Sequence, residues 1–508
     1  MPRAKPTHRF WEGPSRLGRD LLYDASEARP LIGVRVPLAF DWLRRPAVTP
    51  TLPSPVIPGS GPGNGGLGRG RFDNISRAFA QRNYRIYAIG NGVSLIGWWL
   101  QRVAVGWLAW TLTHSGTWLG LVSLADFLPV LVLSPFAGVL ADRRDRVWII
   151  RITQLCGCVQ AGLLAILVAG DLITIHLLFT LVLLLGIASA ISQPSRLALI
   201  PTLVDRASLP SALAINSVIF NLARFVGPAV AGILIAEVGI AAAFAANAVS
   251  YIAFQISLAK LRDLPPQPVV ERQNAIRASI EAYAYASRHP GIGPMLLLFV
   301  VTTIGTRGFI ELFPGFADSV FARGPQGLSI LTSTVGLGAI CGGAWMVMRP
   351  RVTGLAAVVF GHTLLMSLAI LAFTATDRFY LALPCVLVAG AAMTITGTGA
   401  QTLIQAAVDA RMRGRVMALY GMIFRAGPAV GAVLMGLASE HLGLRLSLAI
   451  GALVSSGFWL LSRLHHKEIA AALEEAPASP APGSPAPASP APAPPERTAG
   501  ALPAERSA

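Results

Sequence analysis

Six charged residues stand away from the polar ends of long apolar runs, near mid-membrane depth: Arg102, Asp126, Arg224, Arg307, Glu311 and Arg425. A charge at the centre of a membrane-spanning helix costs about 2.5–3.5 kcal/mol unless it is paired or wetted. Residues kept there against that cost tend to bind an ion, hold a substrate or carry a proton. At about 1.5 Å of rise per residue on two consecutive antiparallel helices, Arg102 and Asp126 fall at similar depth, so an ion pair between them is expected. Glu311 follows Arg307 by one α-helical turn, which allows a second pair, and near the outer end of its run it can also reach water. Asp126 is the better proton carrier, because burial and ion pairing act in opposite senses on its carboxyl group and leave a group that can change protonation. The competing reading is that both acids only neutralise arginines and fix helix packing.

Four arginines against two acids leave a positive excess, which suits an anionic or oxygen-rich ligand. Gln101 and Gln401 are further polar candidates, and Trp98 and Trp99 can line a path through the apolar runs. Trp107 and Trp110 read instead as interfacial anchors. Cys156, Cys158, Cys341 and Cys385 lie in apolar stretches without companion ligands at metal-site spacing, so neither metal nor redox chemistry is expected. There is no zinc-protease motif, nucleophile elbow or phosphate-binding glycine loop, and an enzyme is not expected.

The elements holding these residues must be membrane helices. Of 508 residues, 54% are hydrophobic and only 13% are charged, against about 25% charged in soluble domains. Twelve apolar runs of spanning length occur at 84–112, 117–139, 147–169, 172–192, 209–238, 241–261, 294–313, 328–348, 355–373, 381–402, 416–437 and 446–464. We number them spans 1 to 12. Residues 1–76 form a Pro-, Gly- and Arg-rich N-terminal extension expected to be cytoplasmic and largely disordered. Residues 77–261 make a first six-helix bundle and 262–292 a cytoplasmic linker that turns helical in pattern. Residues 293–466 make the second bundle, and 467–508 an Ala/Pro-rich disordered tail.

The net charge of +16 does not point to nucleic acid, because the basic residues cluster in alternate connections. Arg143, Arg144 and Arg146, then Arg196 and Arg206, then the linker, then Arg349 and Arg351, then Arg411, Arg413 and Arg415 all fall on one side. The opposite side offers Arg323, Arg378 and Arg445. The positive-inside rule then places both termini in the cytoplasm.

The halves repeat each other. Leu199-Ile200 with Val204-Asp205 matches Leu403-Ile404 with Val408-Asp409, and each copy is followed by Gly-Pro-Ala-Val, at Gly227-Pro228 and Gly427-Pro428. Arg224 and Arg425 stand just upstream. Such a parallel repeat belongs to carriers that rock two halves around a central site.

Between spans 2 and 3 the chain reads Gly138-Val-Leu-Ala-Asp142-Arg143-Arg144-Asp145-Arg146. This resembles the loop signature of the major facilitator superfamily. The equivalent loop of the second half, 343–351, keeps Arg349 and Arg351 but lacks the aspartate. The stretches WLQRVAVGWLAWTLTHS, SQPSRLALIPTLVD, RFVGPAVAG and RGRVMALYGM are similar to the exporter branch that includes the enterobactin exporter and macrolide- and drug-efflux members.

The resemblance implies an all-α integral membrane protein of twelve transmembrane helices in two pseudo-symmetric six-helix bundles. It implies a monomeric secondary transporter in the plasma membrane, exporting a small molecule by alternating access with the proton gradient as driving force and no cofactor. One charge crossing roughly 150 mV supplies about 3.5 kcal/mol, enough for a few-hundred-fold gradient. In this superfamily spans 1, 4, 7 and 10 face the cavity, which implicates Thr302, Thr303, Thr394 and Thr396 beside Gln401. The pattern Gly227-Pro228-x-x-x-Gly232, partly repeated as Gly427-Pro428-x-x-Gly431, resembles one associated with antiport; as structure it is a kink with close packing. An importer, a lysophospholipid flippase of similar build, or a non-transporting scaffold remain alternatives.

Overall fold

A computed structural model describes residues 77–262, 275–349 and 352–474. The expectations for 1–76, for 263–274, for Arg351 and for the tail from 475 concern residues outside that set, while residues 467–474, expected to be disordered tail, are helical within His466–Glu474, where Ile469 and Leu473 are buried. So do the side chains of Gly138, Asp142 and Arg143, although their backbone continues the second helix.

Within lipid every backbone donor and acceptor must be satisfied inside the segment, and helices achieve this. The first half consists of Arg82–Thr113, Gly116–Arg143, Arg146–Ala169, Ile175–Leu199, Leu209–Glu237 and Ile240–Ala259, spans 1 to 6 in order. Their turns are short because the sequence caps them. His114 takes a left-handed backbone (φ 49°) to close span 1. Ser115, Asp145 and Thr174 then accept amides from the first turns of spans 2, 3 and 4. Span 4 runs to Leu199, past the expected end at 192, because Pro194 is carried inside the helix.

The second half opens with the linker helix Ala275–Arg288, as its pattern suggested. Span 7 departs from a single α-helix. It is α over Ile292–Gly305, 3-10 over Arg307–Leu312, and a π-turn over Phe316–Val320. Gly324–Met348, Leu355–Ala375 and Phe379–Ala407 are spans 8, 9 and 10. Spans 11 and 12 run continuously as Arg413–Arg463, broken where Gly443 leaves helical geometry at φ 76°.

Among the described residues, ten helices are long and apolar enough to cross a membrane. That set takes spans 11 and 12 as one helix and leaves out Arg82–Thr113, a 32-residue rod packed in the same bundle. Ile166, Ile233, Val249 and Leu460 are each more than half exposed on the outer surface, where water would be a poor solvent and lipid a good one.

Packing repeats across the halves. Span 1 packs on 5, and 7 on 11; span 2 packs on 4, and 8 on 10. The halves meet through spans 2 with 11 and 5 with 8, pairs that exchange when the halves are swapped. The duplicated Gly-Pro motif is part of this packing. A Cβ at Gly227 would stand 2.5 Å from Trp99 Cβ on span 1, and one at Gly427 would stand 2.7 Å from Thr303 Cβ on span 7. Gly232 and Gly431 are similarly pressed against Ser329 and the backbone of Ile304, while Pro228 and Pro428 sit within their helices. Close packing at the motif is thus present in both copies.

Candidate functional site

Between the halves lies a cavity of about 540 Å³. Its wall comes mostly from spans 1, 4, 7 and 10, with a smaller share from spans 2, 5, 8 and 11 and with Thr153, Gln154 and Tyr251 from spans 3 and 6. Five arginines and two carboxylates line it: Arg102, Arg196, Arg224, Arg307 and Arg425 against Asp126 and Glu311. The positive excess is therefore larger than the intramembrane count suggested.

Arg102 is the hub. Its Nη1 donates to Asp126 Oδ2 at 3.1 Å, and its Nη2 bonds Glu311. Phe127 covers the guanidinium at 4.9 Å, with Trp98 and Trp99 slightly further off. One arginine of the first half thus holds a carboxylate of its own half and one of the other. The expected pair between Arg307 and Glu311 does not form. On the 3-10 segment residues three apart eclipse, so a spacing of four swings the two side chains about 120° apart. Glu311 turns to Arg102, with its side chain only 17% exposed, instead of reaching water at the outer end.

Arg307 is 4% exposed. Its guanidinium packs against Phe299 and Phe424, 5.0 and 4.9 Å from their ring centres, and donates from Nη2 to the Met393 carbonyl at 2.6 Å. Arg224 lies 5.7 Å from the ring centre of Trp99. Arg425 crosses the midline to Gln193 on span 4. With the amide turned to satisfy both groups, Gln193 Oε1 accepts from Nη1 and Nη2 at 3.1 and 2.8 Å.

Other expectations resolve differently. Gln101 faces the interior of the first half, bonded to Gln160 at 3.0 Å and Asn247 at 2.7 Å. It ties spans 1, 3 and 6 together and lies outside the lining of the large cavity. Gln401 and Thr394 do line it, whereas Thr302, Thr303 and Thr396 are buried within the bundle. Trp107 and Trp110 are buried, and Trp110 Nε1 donates to Asp318 at 2.9 Å across the halves, so they are packing residues and not interfacial anchors. Arg146 is buried too. It bonds the Ala198 carbonyl at 3.1 Å, tying span 3 to the end of span 4 instead of meeting headgroups or acids.

Arg196 is the residue that sequence reading placed wrongly, in a connecting loop. On the extended span 4 it donates to Asn91 at 3.1 Å and Gln154 at 2.7 Å inside the cavity wall. The expected span stopped at 192, two residues short of Pro194, and so left Arg196 out. The polar Gln193 and Ser192 beside it were the available signal that the helix continued into a wet space.

The cavity has a closed end. There Glu440 accepts from Ser115 Oγ and from the Thr117 amide at 3.2 Å, joining span 11 to the start of span 2. Backbones meet directly nearby: a Cβ on Gly120 would stand 2.6 Å from the Ala432 carbonyl oxygen. The lining runs away from this end, past Arg102, towards Arg196 and Gln401.

Two related helical halves closing on a charged central chamber define a polytopic membrane carrier. Residues 76–483 match the model of the transmembrane secretion effector family, and the chain belongs to that family of major facilitator transporters. It resembles the Staphyloferrin A transporter of Staphylococcus aureus (strain NCTC 8325 / PS 47), with 24% identity over 75% of this chain and 96% of the relative. It also resembles the Enterobactin exporter EntS of Escherichia coli O1:K1 / APEC, with 27% identity over 76% of this chain and 91% of the relative. Among solved structures, a bacterial homolog of the human lysosomal transporter Spinster, inward-facing and unoccupied, shares the fold. Its TM-score is 0.60 at 15% identity, over 82% of this chain and 100% of that one. The nucleoside transporter NupG gives 0.57 at 16%, over 75% and 99%. The protein is a multi-pass membrane transporter of a small molecule.

Proposed function

We propose that the protein is a monomeric, proton-coupled exporter of a small anionic, siderophore-like molecule, working by alternating access across twelve spans in the plasma membrane with both termini cytoplasmic. The observation that carries this is the chamber lining, where five guanidinium groups face two carboxylates and both carboxylates are held by one arginine. An anion entering there replaces missing counter-charge, whereas a lipophilic cation would add to the repulsion. The names of the two relatives, a Staphyloferrin A transporter and an Enterobactin exporter, agree with an oxygen-rich cargo moving outward.

Coupling falls to the Arg102–Asp126–Glu311 cluster. While both acids are ionised, Arg102 bridges the halves. A proton arriving at Asp126 removes one of the charges holding the guanidinium and loosens the bridge, so the halves can part at the end closed by Glu440. Arginine stays protonated throughout and serves as the fixed charge against which the acids switch.

The test is accumulation of candidate siderophores inside a deletion strain, with and without an uncoupler, complemented by wild type or Asp126→Asn. Export requires higher internal cargo in the deletion strain, and an importer gives the reverse. Coupling requires that Asp126→Asn retain binding but lose uncoupler-sensitive efflux; intact efflux removes Asp126 from the mechanism.

A further inference from the structure

We infer that Trp99, Arg224 and Arg307 form an anion subsite that takes a planar oxyanion through donors the protein leaves unused, while the other three chamber arginines are already occupied by the protein's own acceptors. This rests on the chamber being the cargo site, and it assigns the recognition within it.

The five arginines differ in what they already hold. Arg102 is bonded to two carboxylates, Arg196 to Asn91 and Gln154, and Arg425 to Gln193. Arg224 meets no hydrogen-bond acceptor among the described residues; its neighbours are the Trp99 ring and the like charges of Arg307 and Arg102. Arg307 uses Nη2 on the Met393 carbonyl, and its buried Nε finds no acceptor. The buried Nε1 of Trp99 also has none. A buried donor without a partner is costly, and two such donors belong to the chamber-lining residues Arg307 and Trp99, beside Arg224, whose guanidinium meets a ring but no hydrogen-bond acceptor among the described residues.

Every one of these groups is a donor. A ligand satisfying them must therefore supply acceptors, and negative charge is favoured because Arg224 and Arg307 have no carboxylate partner. The shape of the ligand follows from the guanidinium fork. Arg307 packs against Phe299 and Phe424, whose ring centres lie 5.0 and 4.9 Å from its guanidinium carbon. Its N–H groups lie in one plane and match two coplanar oxygens, as in a carboxylate or a deprotonated vicinal aryl diol. Gly397 keeps the opposing wall bare, since a Cβ there would stand 2.9 Å from Arg307 Nη2.

The experiment is equilibrium binding of three probes to the purified full-length transporter in detergent. Salicylate carries its oxyanion on an aryl plane, citrate carries carboxylates on an aliphatic chain, and benzylammonium is a flat cation. At least one oxyanion is expected to bind and benzylammonium to bind at least tenfold more weakly; which oxyanion binds tighter tells whether the plane belongs to an aryl group or a carboxylate alone. Arg224→Gln and Arg307→Gln should each weaken the oxyanion at least tenfold, with Arg224→Lys intermediate. If Arg307→Gln does not fold, Trp99→Phe keeps the ring, removes only the N–H donor and should weaken binding about threefold. Wild-type affinity in folded Arg224→Gln, equal binding of the cation, or binding of neither oxyanion overturns the subsite. Wild-type efflux in cells carrying Arg224→Gln would remove the subsite and leave export standing; absence of efflux by wild type would remove export and leave the binding result intact.

Discussion

Arg102, on the first span of one half, and Glu311, on the first span of the other, are bonded to each other across the midline of the molecule. Asp126 shares the same guanidinium at 3.1 Å, and all three side chains are less than a fifth exposed. Removing the arginine leaves two carboxylates side by side without the cation bonded to both. Arg102→Gln should therefore lower stability by about 2–4 kcal/mol, towards the range for breaking a buried pair. The triple change Arg102→Gln, Asp126→Asn, Glu311→Gln should recover most of that loss without restoring efflux. Thermal unfolding in detergent checks the first part and transport the second. A single variant as stable as wild type would show that the bridge carries no net energy.

The closed end of the chamber relies on bare backbone. Gly120 of span 2 faces Ala432 and Val433 of span 11, and a Cβ would meet the Ala432 carbonyl oxygen at 2.6 Å and Val433 Cα at 2.7 Å. Neither contact can yield, because both partners are main-chain atoms of a packed helix. Gly120→Val should hold the halves apart there and abolish cycling while leaving each half folded. Spin labels at Leu112 and Leu442, both exposed, should report a longer and broader distance distribution than in wild type.

The legible parts of this protein were those that rest on regular α-helices. Arg102 and Asp126 could be matched in depth by counting rise, because both lie on uninterrupted helices joined by the short Ser115-capped turn. The same counting failed at Arg307 and Glu311, since the chain tightens to 3-10 between them. A run such as Thr-Ile-Gly-Thr-Arg-Gly-Phe does not reveal that change; only Gly305 and Gly308, each pressed against the backbone of spans 11 or 12, account for it. Arg196 fell outside the expected span, which stopped at 192, whereas the helix carries Pro194 and runs on to Leu199. The bridge from Arg102 to Glu311 was beyond spacing altogether. It depends on which spans face each other, and a hydropathy pattern carries no such topology.

His289 gives a pH test outside the membrane. Its Nδ1 accepts the amides of Gly291 and Ile292 at 3.1 and 3.2 Å, capping the start of span 7, so the ring must be neutral with its proton on Nε2. Burial pushes its pKa below the usual 6.5, opposed by the nearby Asp409. A base whose folded pKa lies below its unfolded value adds stability that is complete above pH 6.5 and lost as pH falls through the depressed value. Between pH 8 and 7 wild type and His289→Ala should therefore differ by about 1 kcal/mol, the worth of a helix cap. The gap should close on acidification below pH 6. Thermal unfolding across that range measures it, and a gap that widens in acid would reverse the assignment.

The last described helix, His466–Glu474, ends by capping another. Glu474 accepts the Gly354 amide at 2.6 Å and the Ala356 amide at 2.8 Å, at the start of span 9, where no nearer side chain caps the helix. Ile469 and Leu473 are buried on the same side, and Leu473 packs against Gly291 ahead of span 7. A carboxylate at a helix N-terminus satisfies free amides and complements the dipole. Glu474→Gln should keep part of the hydrogen bonding and cost about 0.5 kcal/mol, whereas Glu474→Ala should cost about 1–2 kcal/mol. Amide hydrogen exchange resolves the effect locally: Gly354 and Ala356 should exchange faster in Glu474→Ala while the amides of span 3, in the other half, keep wild-type rates. Equal acceleration in both places would mean that the variant destabilises the whole molecule and that Glu474 is not a local cap.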